Sequence, residues 1–177
     1  MKKQKWALIA GIALALIAAL CLWYTRPQKL AAILGGWRPD SLSASASDPA
    51  PILTGDGQVV SNTDVWLLNG VTADDPALEE IWAALEEHTY RTPLSSIPHN
   101  LFAPDKGYVV HGSQGTVSLI FGRENAAWVS VTAYGDSSGT VFISGPDNIG
   151  SYRYQAGAGL YDALAGIVRK YGTLQEG

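Results

Sequence analysis

The chain has 177 residues, of which 12 are basic and 16 are acidic, and a formal net charge of −4. The charge is divided along the chain, because residues 55–177 contain six basic and 14 acidic residues, a formal net charge of −8. Such an acidic domain repels the phosphates of nucleic acids and of anionic lipids, which argues against nucleic-acid binding.

An uncharged, apolar segment at residues 6–24 predicts a membrane-spanning helix. As a helix, this segment would extend about 28 Å, close to the ~30 Å hydrocarbon thickness of a bilayer. Aromatic residues stand at both of its ends, where amphipathic rings favour the two membrane interfaces: Trp6, Trp23 and Tyr24. We therefore expect residues 6–24 to attach the chain to a membrane.

We expect this segment to be retained as a signal anchor. A cleaved signal peptide has an apolar region of about 7–15 residues that ends at small side chains. This segment is longer and ends in bulky residues at 22–24, and Leu20 before Cys21 disfavours a lipoprotein. Three lysines lie in the tail 1–5, so the positive-inside rule favours a cytoplasmic tail and an extracytoplasmic domain.

Residues 25–54 are predicted to be a juxtamembrane segment followed by a flexible linker. A short apolar patch at 30–34 suits the membrane surface. Residues 38–54 are rich in Ser, Ala and Pro and show no periodic apolar pattern, a composition typical of a flexible tether. The remaining residues, 55–177, are enough for one domain with its own core.

Cys21 is the only cysteine, and it lies within the apolar segment. The domain therefore has no disulfide and no thiol nucleophile, which excludes cysteine proteases and sortase-like transpeptidases. Small extracellular domains of eukaryotes are usually rich in disulfides. The cysteine-free domain thus favours a bacterial cell surface.

The domain is predicted to begin with two short strands, 58–61 and 65–68, followed by a turn at Asn69 and Gly70. A helix follows, since aspartates at 74–75 supply a cap and proline comes next. It is expected to end near His88 or Thr89. The residues at helical spacing form its predicted buried stripe: Leu78, Ile81, Trp82 and Leu85.

Residues 92–106 contain three prolines and predict a loop. β-like segments separated by turn residues come after it, at 108–111, 116–121, 128–134, 140–144 and 152–154. Their spacing fits an antiparallel meander in which 108–111 pairs with 116–121. A final helix carries a stripe of Leu160, Tyr161, Leu164, Ile167, Val168 and Tyr171, and ends at Gly172. The predicted fold class is α+β, with two amphipathic helices on one face of a mostly antiparallel sheet.

Residues 135–139, Gly-Asp-Ser-Ser-Gly, satisfy the G-x-S-x-G pattern of a nucleophile elbow around Ser137. Such an elbow requires a strand, a strained turn and then a helix. Because the β-like segment 140–144 follows instead, we interpret these residues as a hairpin turn.

The three histidines, His88, His99 and His111, have spacings that match no metal-binding motif. We therefore predict neither a metal site nor a cofactor. His88 at a helix C-terminus is a favourable partner of the helix dipole. The glutamate pairs at 79–80 and 86–87 belong to a solvated helix face, so no two carboxylates are expected to face each other as in a glycosidase.

Aromatic residues are numerous in the domain. Tyr152 and Tyr154 share a face of a predicted strand, and with Tyr134 they could form a binding surface for a glycan or a peptide. His99, in the proline-rich loop, is a further candidate for ligand binding. The alternative for these tyrosines is packing in the core. Core positions are also predicted for two strand tryptophans, Trp66 and Trp128.

The order of these elements resembles that of uncharacterised extracytoplasmic domains of Gram-positive bacteria. The resemblance covers residues 59–172, from the strand pair through the acidic helix after Asp75-Pro76 to the last helix, which ends in Lys170-Tyr171-Gly172. Such domains occur behind a single membrane helix or at the end of membrane-bound sensor proteases. The resemblance implies an extracytoplasmic sensing or interaction role and supplies no catalytic residue.

The leading functional hypothesis is a membrane-tethered, non-catalytic module that binds a protein, a peptide or an envelope ligand. The alternative is a cell-envelope hydrolase that uses Ser137 or His99. A third hypothesis, an assembly subunit inserted through its helix, lacks the glutamate expected early in a pilin-type helix.

Overall fold

The computed structural model describes residues 2–53, 59–102, 115–123, 127–135, 138–145 and 152–175, with the backbone alone at 2, 3, 49–53 and 59–63. Helix α1, Lys2–Tyr24, contains the predicted apolar segment. Its part Gln4–Tyr24 is apolar, lies outside the core, and is long enough to cross a bilayer. This helix has the length and composition of a membrane segment or a signal sequence.

The described part of the chain forms one antiparallel sheet with helices packed on it. The other helices are α2 (Leu30–Ile33), α3 (Pro76–Glu87), α4 (Ile97–Phe102) and α5 (Leu160–Tyr171). The strands are β1 (Ser41–Leu53), β2 (Val59–Thr72), β3 (Thr116–Gly122), β4 (Trp128–Tyr134), β5 (Thr140–Ser144), β6 (Tyr152–Gln155) and β7 (Thr173–Gln175). Their order in the sheet is β6-β5-β4-β3-β1-β2-β7. The predicted α+β fold is confirmed.

The segment after α1, predicted to be juxtamembrane, packs into the domain. Leu30 is fully buried and Leu34 nearly so, although an apolar patch on the membrane surface was the expectation for residues 30–34. Lys29 Nζ donates to the carbonyl oxygens of the last two residues of α3, at 3.2 and 2.8 Å. Such a cation satisfies the free carbonyls at a helix C-terminus. Gln28 and Tyr90 also form a backbone bridge, with N–O distances of 2.9 and 2.8 Å.

Residues 41–53 form strand β1, so the prediction of a flexible linker is wrong for this part of the chain. The strand lies inside the sheet, where it pairs with β2 on one side and with β3 on the other. Leu42, Ala44 and Ala46 are buried, whereas the serines between them lie on the opposite face. The predicted domain boundary at residue 55 therefore falls between two neighbouring strands of one sheet.

The predicted strands 58–61 and 65–68 are one continuous strand, β2. Asn69 and Gly70, predicted to form a turn, instead lie within it as a β-bulge. The register shifts at this point, because Leu42 pairs with Val71 whereas Ala44 pairs with Leu68. Gly70 has a φ of +73°, a left-handed conformation that glycine adopts without steric cost and that recurs in such bulges.

Helices α3 and α5 form as their sequences predict. Asp75 caps α3 by accepting a hydrogen bond of 2.8 Å from the amide of Ala77, and Pro76 occupies its first turn. All four residues of the predicted stripe of α3 are buried: Leu78, Ile81, Trp82 and Leu85. The buried residues of α5 are Leu160, Leu164, Ala165 and Val168, and its C-cap is Gly172. His88 Nδ1 lies 2.9 Å from the carbonyl oxygen of Ala84, at the C-terminus of α3 as expected.

Strands β3 to β6 form the predicted meander. The predicted strand 108–111 lies outside the described residues. Its expected partner β3 is paired along its length with β1 on one edge and with β4 on the other. Strands β4 and β5 are antiparallel neighbours joined through residues 135–139, so the interpretation of this segment as a hairpin connection is confirmed.

Alternate residues of the strands divide the sheet into two faces. The core face, on which α3 and α5 pack, carries rows of buried side chains such as Ala44, Leu119, Val131 and Ile143. We call the opposite side the open face. It carries mostly small hydroxyl residues: Ser43, Ser45, Ser47, Thr116, Ser118, Ser130 and Thr132.

The two strand tryptophans have different environments. Trp66 is partly buried against the core, as predicted. Trp128 lies on the open face with 53% of its surface exposed, so its predicted core position is wrong. The alternation explains the difference, since the next residue of β4, Val129, points into the core and is fully buried.

The edge strand β6 is covered by other parts of the chain. Arg91 forms a backbone bridge with Gln155, at 2.9 and 2.8 Å. The side-chain amide of Asn100 on α4 pairs with the backbone N–H and carbonyl of Arg153, both at 3.4 Å. Residues 97–102, part of the predicted loop 92–106, thus form a short helix beside the sheet. The edge of the sheet at β6 is covered and is therefore protected from pairing with another chain.

Candidate functional site

A cavity of about 300 Å³ lies where helix α1 meets the domain, and we call it the junction cavity. Residues from the end of α1 and from the segment after it form one side, and β5 and β6 form the other. Six of its lining residues carry the chemistry considered below: Trp23, Tyr24, Arg26, Gln28, Tyr152 and Tyr154. The cavity is therefore lined both by the end of α1 and by the sheet.

The sheet side of the cavity is set by the register of β6. Tyr152 pairs with Ile143 and Tyr154 with Val141, so both tyrosines lie on the core face. Tyr154 contacts the ring of Tyr90 edge-to-face, with a centroid distance of 6.4 Å. Tyr90 is itself fixed, because it is fully buried and its hydroxyl donates to the carbonyl of Leu85 at 2.8 Å.

The helix side of the cavity is set by the end of α1. The backbone N–H and the hydroxyl of Thr25 both donate to the carbonyl of Cys21, at 3.0 and 2.8 Å. The guanidinium of Arg26 lies 3.7 Å from the centre of the Trp23 ring, within cation–π range. The lining of the cavity thus combines four aromatic side chains with the guanidinium of Arg26.

Burial raises the pKa of Tyr154 and of its neighbour Tyr90. Burial first, and then the neighbouring Tyr24 and Tyr152, raise the pKa of Tyr154 from its ordinary value near 10 to about 12. Burial also raises the pKa of Tyr90. Both phenols are therefore neutral hydrogen-bonding groups at physiological pH.

The raised pKa of Tyr154 predicts a loss of stability in alkaline solution. Because its folded pKa is above the unfolded value, the stabilisation is complete below pH 10 and is lost as the pH rises toward about 12. The difference in tyrosinate absorbance between wild type and Tyr154→Phe should have its midpoint near pH 12 in the folded protein. In denaturant the midpoint should return to its ordinary value, and a folded midpoint near 10 would contradict the burial of Tyr154.

The structure brings two of the four predicted ligand-binding residues together. Tyr152 and Tyr154 line the junction cavity. Tyr134 lies on the open face, where its ring contacts Phe142 edge-to-face at 5.7 Å. It lines a separate cavity of about 360 Å³ with Tyr161 and several glycines. His99 is a half-buried residue of α4 rather than part of a loop.

The residues of the proposed hydrolase are only partly described. Ser137 lies outside the described residues, whereas His99 lies in α4. The strand β5 follows the Gly-Asp-Ser-Ser-Gly segment where a nucleophile elbow would need a helix. Among the described residues, no group of three or more His, Cys, Asp or Glu side chains could hold a metal ion.

The glutamates of α3 include two that make specific contacts. Glu80 accepts hydrogen bonds from Lys170 Nζ and the hydroxyl of Tyr171, both at 2.7 Å. These bonds, the lysine's first, lower the pKa of Glu80. Glu86 accepts from the guanidinium of Arg38 at 3.0 Å. Both side chains are thus engaged in links between helices or to the juxtamembrane segment.

Sequence reasoning missed the contribution of α1 and the following residues to the cavity. The sequence predicts an interfacial position for Trp23 and Tyr24 and no role for Arg26. A signal was present in the short distance from Tyr24 to Leu30, which leaves little chain between the apolar helix and the first buried residue. Comparison of the chain with protein-family models, with curated proteins and with solved structures finds no match.

Proposed function

We propose that the chain is a single-pass membrane protein whose extracytoplasmic domain binds a peptide or an envelope ligand in the junction cavity, without catalysis. The observation that carries the proposal is the shared lining of this cavity by the end of α1 and by β6. On this proposal α1 is a retained anchor, because its last residues help to form the binding site. Residues 1–5 remain in the cytoplasm, as the lysines before the helix favour.

The lining of the cavity supports a ligand with two kinds of groups. Trp23, Tyr152 and Tyr154 offer ring surfaces for an apolar or aromatic part. Arg26 and Gln28 offer donors for a carboxylate or a carbonyl oxygen. An amphiphilic envelope molecule or a peptide with an aromatic side chain has both.

The connection between α1 and the domain supports a sensing role. The segment after α1 is held by the Gln28–Tyr90 bridge, by Lys29 at the end of α3 and by the ion pair of Arg38 with Glu86. A ligand that contacts Trp23 and Tyr152 together would favour one position of α1 relative to the sheet. Occupancy of the cavity would thereby bias the arrangement of the membrane helix, which is the requirement for transmitting a signal.

The proposal is tested by native mass spectrometry of the full chain extracted in mild detergent from its own membranes. We expect a bound molecule on the wild type and about tenfold lower occupancy in Tyr152→Ala and Arg26→Gln, because each removes a central contact. Tyr134→Ala, on the opposite face of the sheet, is the matched control and should keep the bound molecule.

Two results would contradict the proposal. One is equal occupancy in all variants that retain the thermal unfolding midpoint of the wild type. The other is turnover of peptidoglycan or of ester substrates by the wild type that Ser137→Ala or His99→Ala abolishes, since this would establish the hydrolase alternative.

A further inference from the structure

The large apolar side chains exposed outside α1 are unevenly placed. Among the residues whose exposure is described, they are Leu94, Leu101, Phe102, Ile120 and Trp128. The first three belong to the segment that follows Thr92, a residue of the junction cavity, and Asn100 attaches this segment to β6 next to Tyr152. The other two lie on the open face of β3 and β4. The first three thus lie on a segment close to the junction cavity. Ile120 lies in a row of paired residues that crosses the sheet to β5.

The register of the sheet places Ile120 and Trp128 at the end where α1 arrives. Ile120 pairs with Ser130, which pairs with Ser144, the residue before Gly145 of the junction cavity. Two strand spacings separate Ile120 from Ser144, or about 10 Å. Trp128 lies two residues closer to the same end of the sheet than Ser130. We call Ile120 and Trp128 the apolar rim.

We infer that the apolar rim inserts into the bilayer interface beside α1, so that the domain lies against the membrane surface. The inference rests on the proposed function insofar as α1 is a retained anchor. Trp23 and Tyr24 end the anchor and line the junction cavity with Gly145 and Tyr152. These two sheet residues lie at the same end of the strands as the rim, so the rim, although on the open face, lies close to the depth of the headgroups. The partner of the rim is therefore the lipid interface that also surrounds the end of α1.

The chemistry of the rim fits a neutral interface. Trp128 has an amphipathic ring of the kind enriched at membrane surfaces, and more than half of each rim side chain is exposed. The domain is acidic, with 14 acidic and six basic residues at 55–177, so attraction to anionic lipid does not drive the contact. Insertion of apolar surface drives it, and zwitterionic lipid suffices.

The test uses the full chain carrying Cys21→Ser, reconstituted in phosphatidylcholine vesicles. This substitution removes the only cysteine of the chain, so a label attaches only at an introduced cysteine. An environment-sensitive fluorophore is attached at Ile120→Cys or Trp128→Cys. Ser47→Cys on the same open face is the matched control. Ser47 pairs with Thr116, which pairs with Tyr134, and Tyr134 lies about 20 Å from Trp128 along β4. Leu14→Cys within α1 reports insertion of the anchor. Lipid-attached and aqueous quenchers are then compared for each labelled protein.

We expect the lipid-attached quencher to reduce the fluorescence at 120 and 128 at least about twice as much as at 47, because interfacial side chains lie 5–10 Å deep. If only the aqueous quencher acts at 120 and 128 while the lipid-attached quencher acts at Leu14→Cys, the inference is overturned. The retained anchor is not contradicted by that result. Protection of both rim positions from both quenchers would assign the rim to a protein partner or a second copy, and so overturn it too. Absence of lipid quenching at Leu14→Cys would instead refute the retained anchor.

Discussion

Replacing Leu30 by alanine is expected to lower the free energy of unfolding by about 2–5 kcal/mol, the range for fully buried leucines. Leu30 has no exposed surface although it lies only six residues after Tyr24. The loss combines the transfer of the three deleted side-chain carbons with the cavity that they leave. Urea unfolding of the full chain in detergent, followed by far-ultraviolet circular dichroism, measures it.

The matched control for this change is Leu94→Ala. Leu94 is 64% exposed, so the same substitution should change the free energy of unfolding by no more than about 0.5 kcal/mol. Equal effects of the two substitutions would show that the segment after α1 is not part of the core. The attachment of the segment after α1 to the domain, on which the sensing role depends, would then be contradicted.

Replacing Gly139 by alanine is expected to destabilise the domain by about 2–5 kcal/mol, from two separate causes. Gly139 has a φ of +62°, where a Cβ costs about 1–2 kcal/mol. The added Cβ would also meet the backbone of Gly157, and such overpacking costs about 1–3 kcal/mol. The same urea titration gives the free-energy difference.

Gly157 supplies the control, because it separates the two causes. Its φ is +82°, but a Cβ there would meet no atom within 4 Å. Gly157→Ala should therefore cost only the conformational part, about 1–2 kcal/mol. If Gly139→Ala costs no more than Gly157→Ala, the close packing of the β4–β5 connection against the chain before α5 is contradicted.

The sequence predicted the elements in which local pattern and tertiary packing agree. Helix α3 has an aspartate cap, a proline in its first turn and apolar residues at helical spacing, and all of these occur in the structure. Strands β4 and β5 have the predicted bounds, since β-branched residues alternate between turn-forming segments. For the candidate site, the shared face of Tyr152 and Tyr154 followed from the two-residue period of a strand.

Strand β1 shows why a low-complexity composition was misleading. Serine and alanine alternate at 43–47, and this period of two residues is itself the pattern of a strand. Alanine buries little apolar surface and has a low β-propensity, so the alternation of serine and alanine predicted a strand only weakly. The strand forms because β2 and β3 pair with both of its edges, and because larger neighbours such as Leu119 and Val117 complete its rows.

The sequence by itself determined the apolar helix, the acidic cysteine-free domain and its α+β class, because charge, length and periodicity are local properties of the chain. Only the tertiary structure decided that Trp23 and Arg26 share a cavity with Tyr152 and Tyr154, and that Tyr134 lies on the other face. These relations depend on strand order and on register across more than a hundred residues of sequence. No local pattern encodes them, because a shift of one residue in β4 or β6 would exchange the two faces of the sheet.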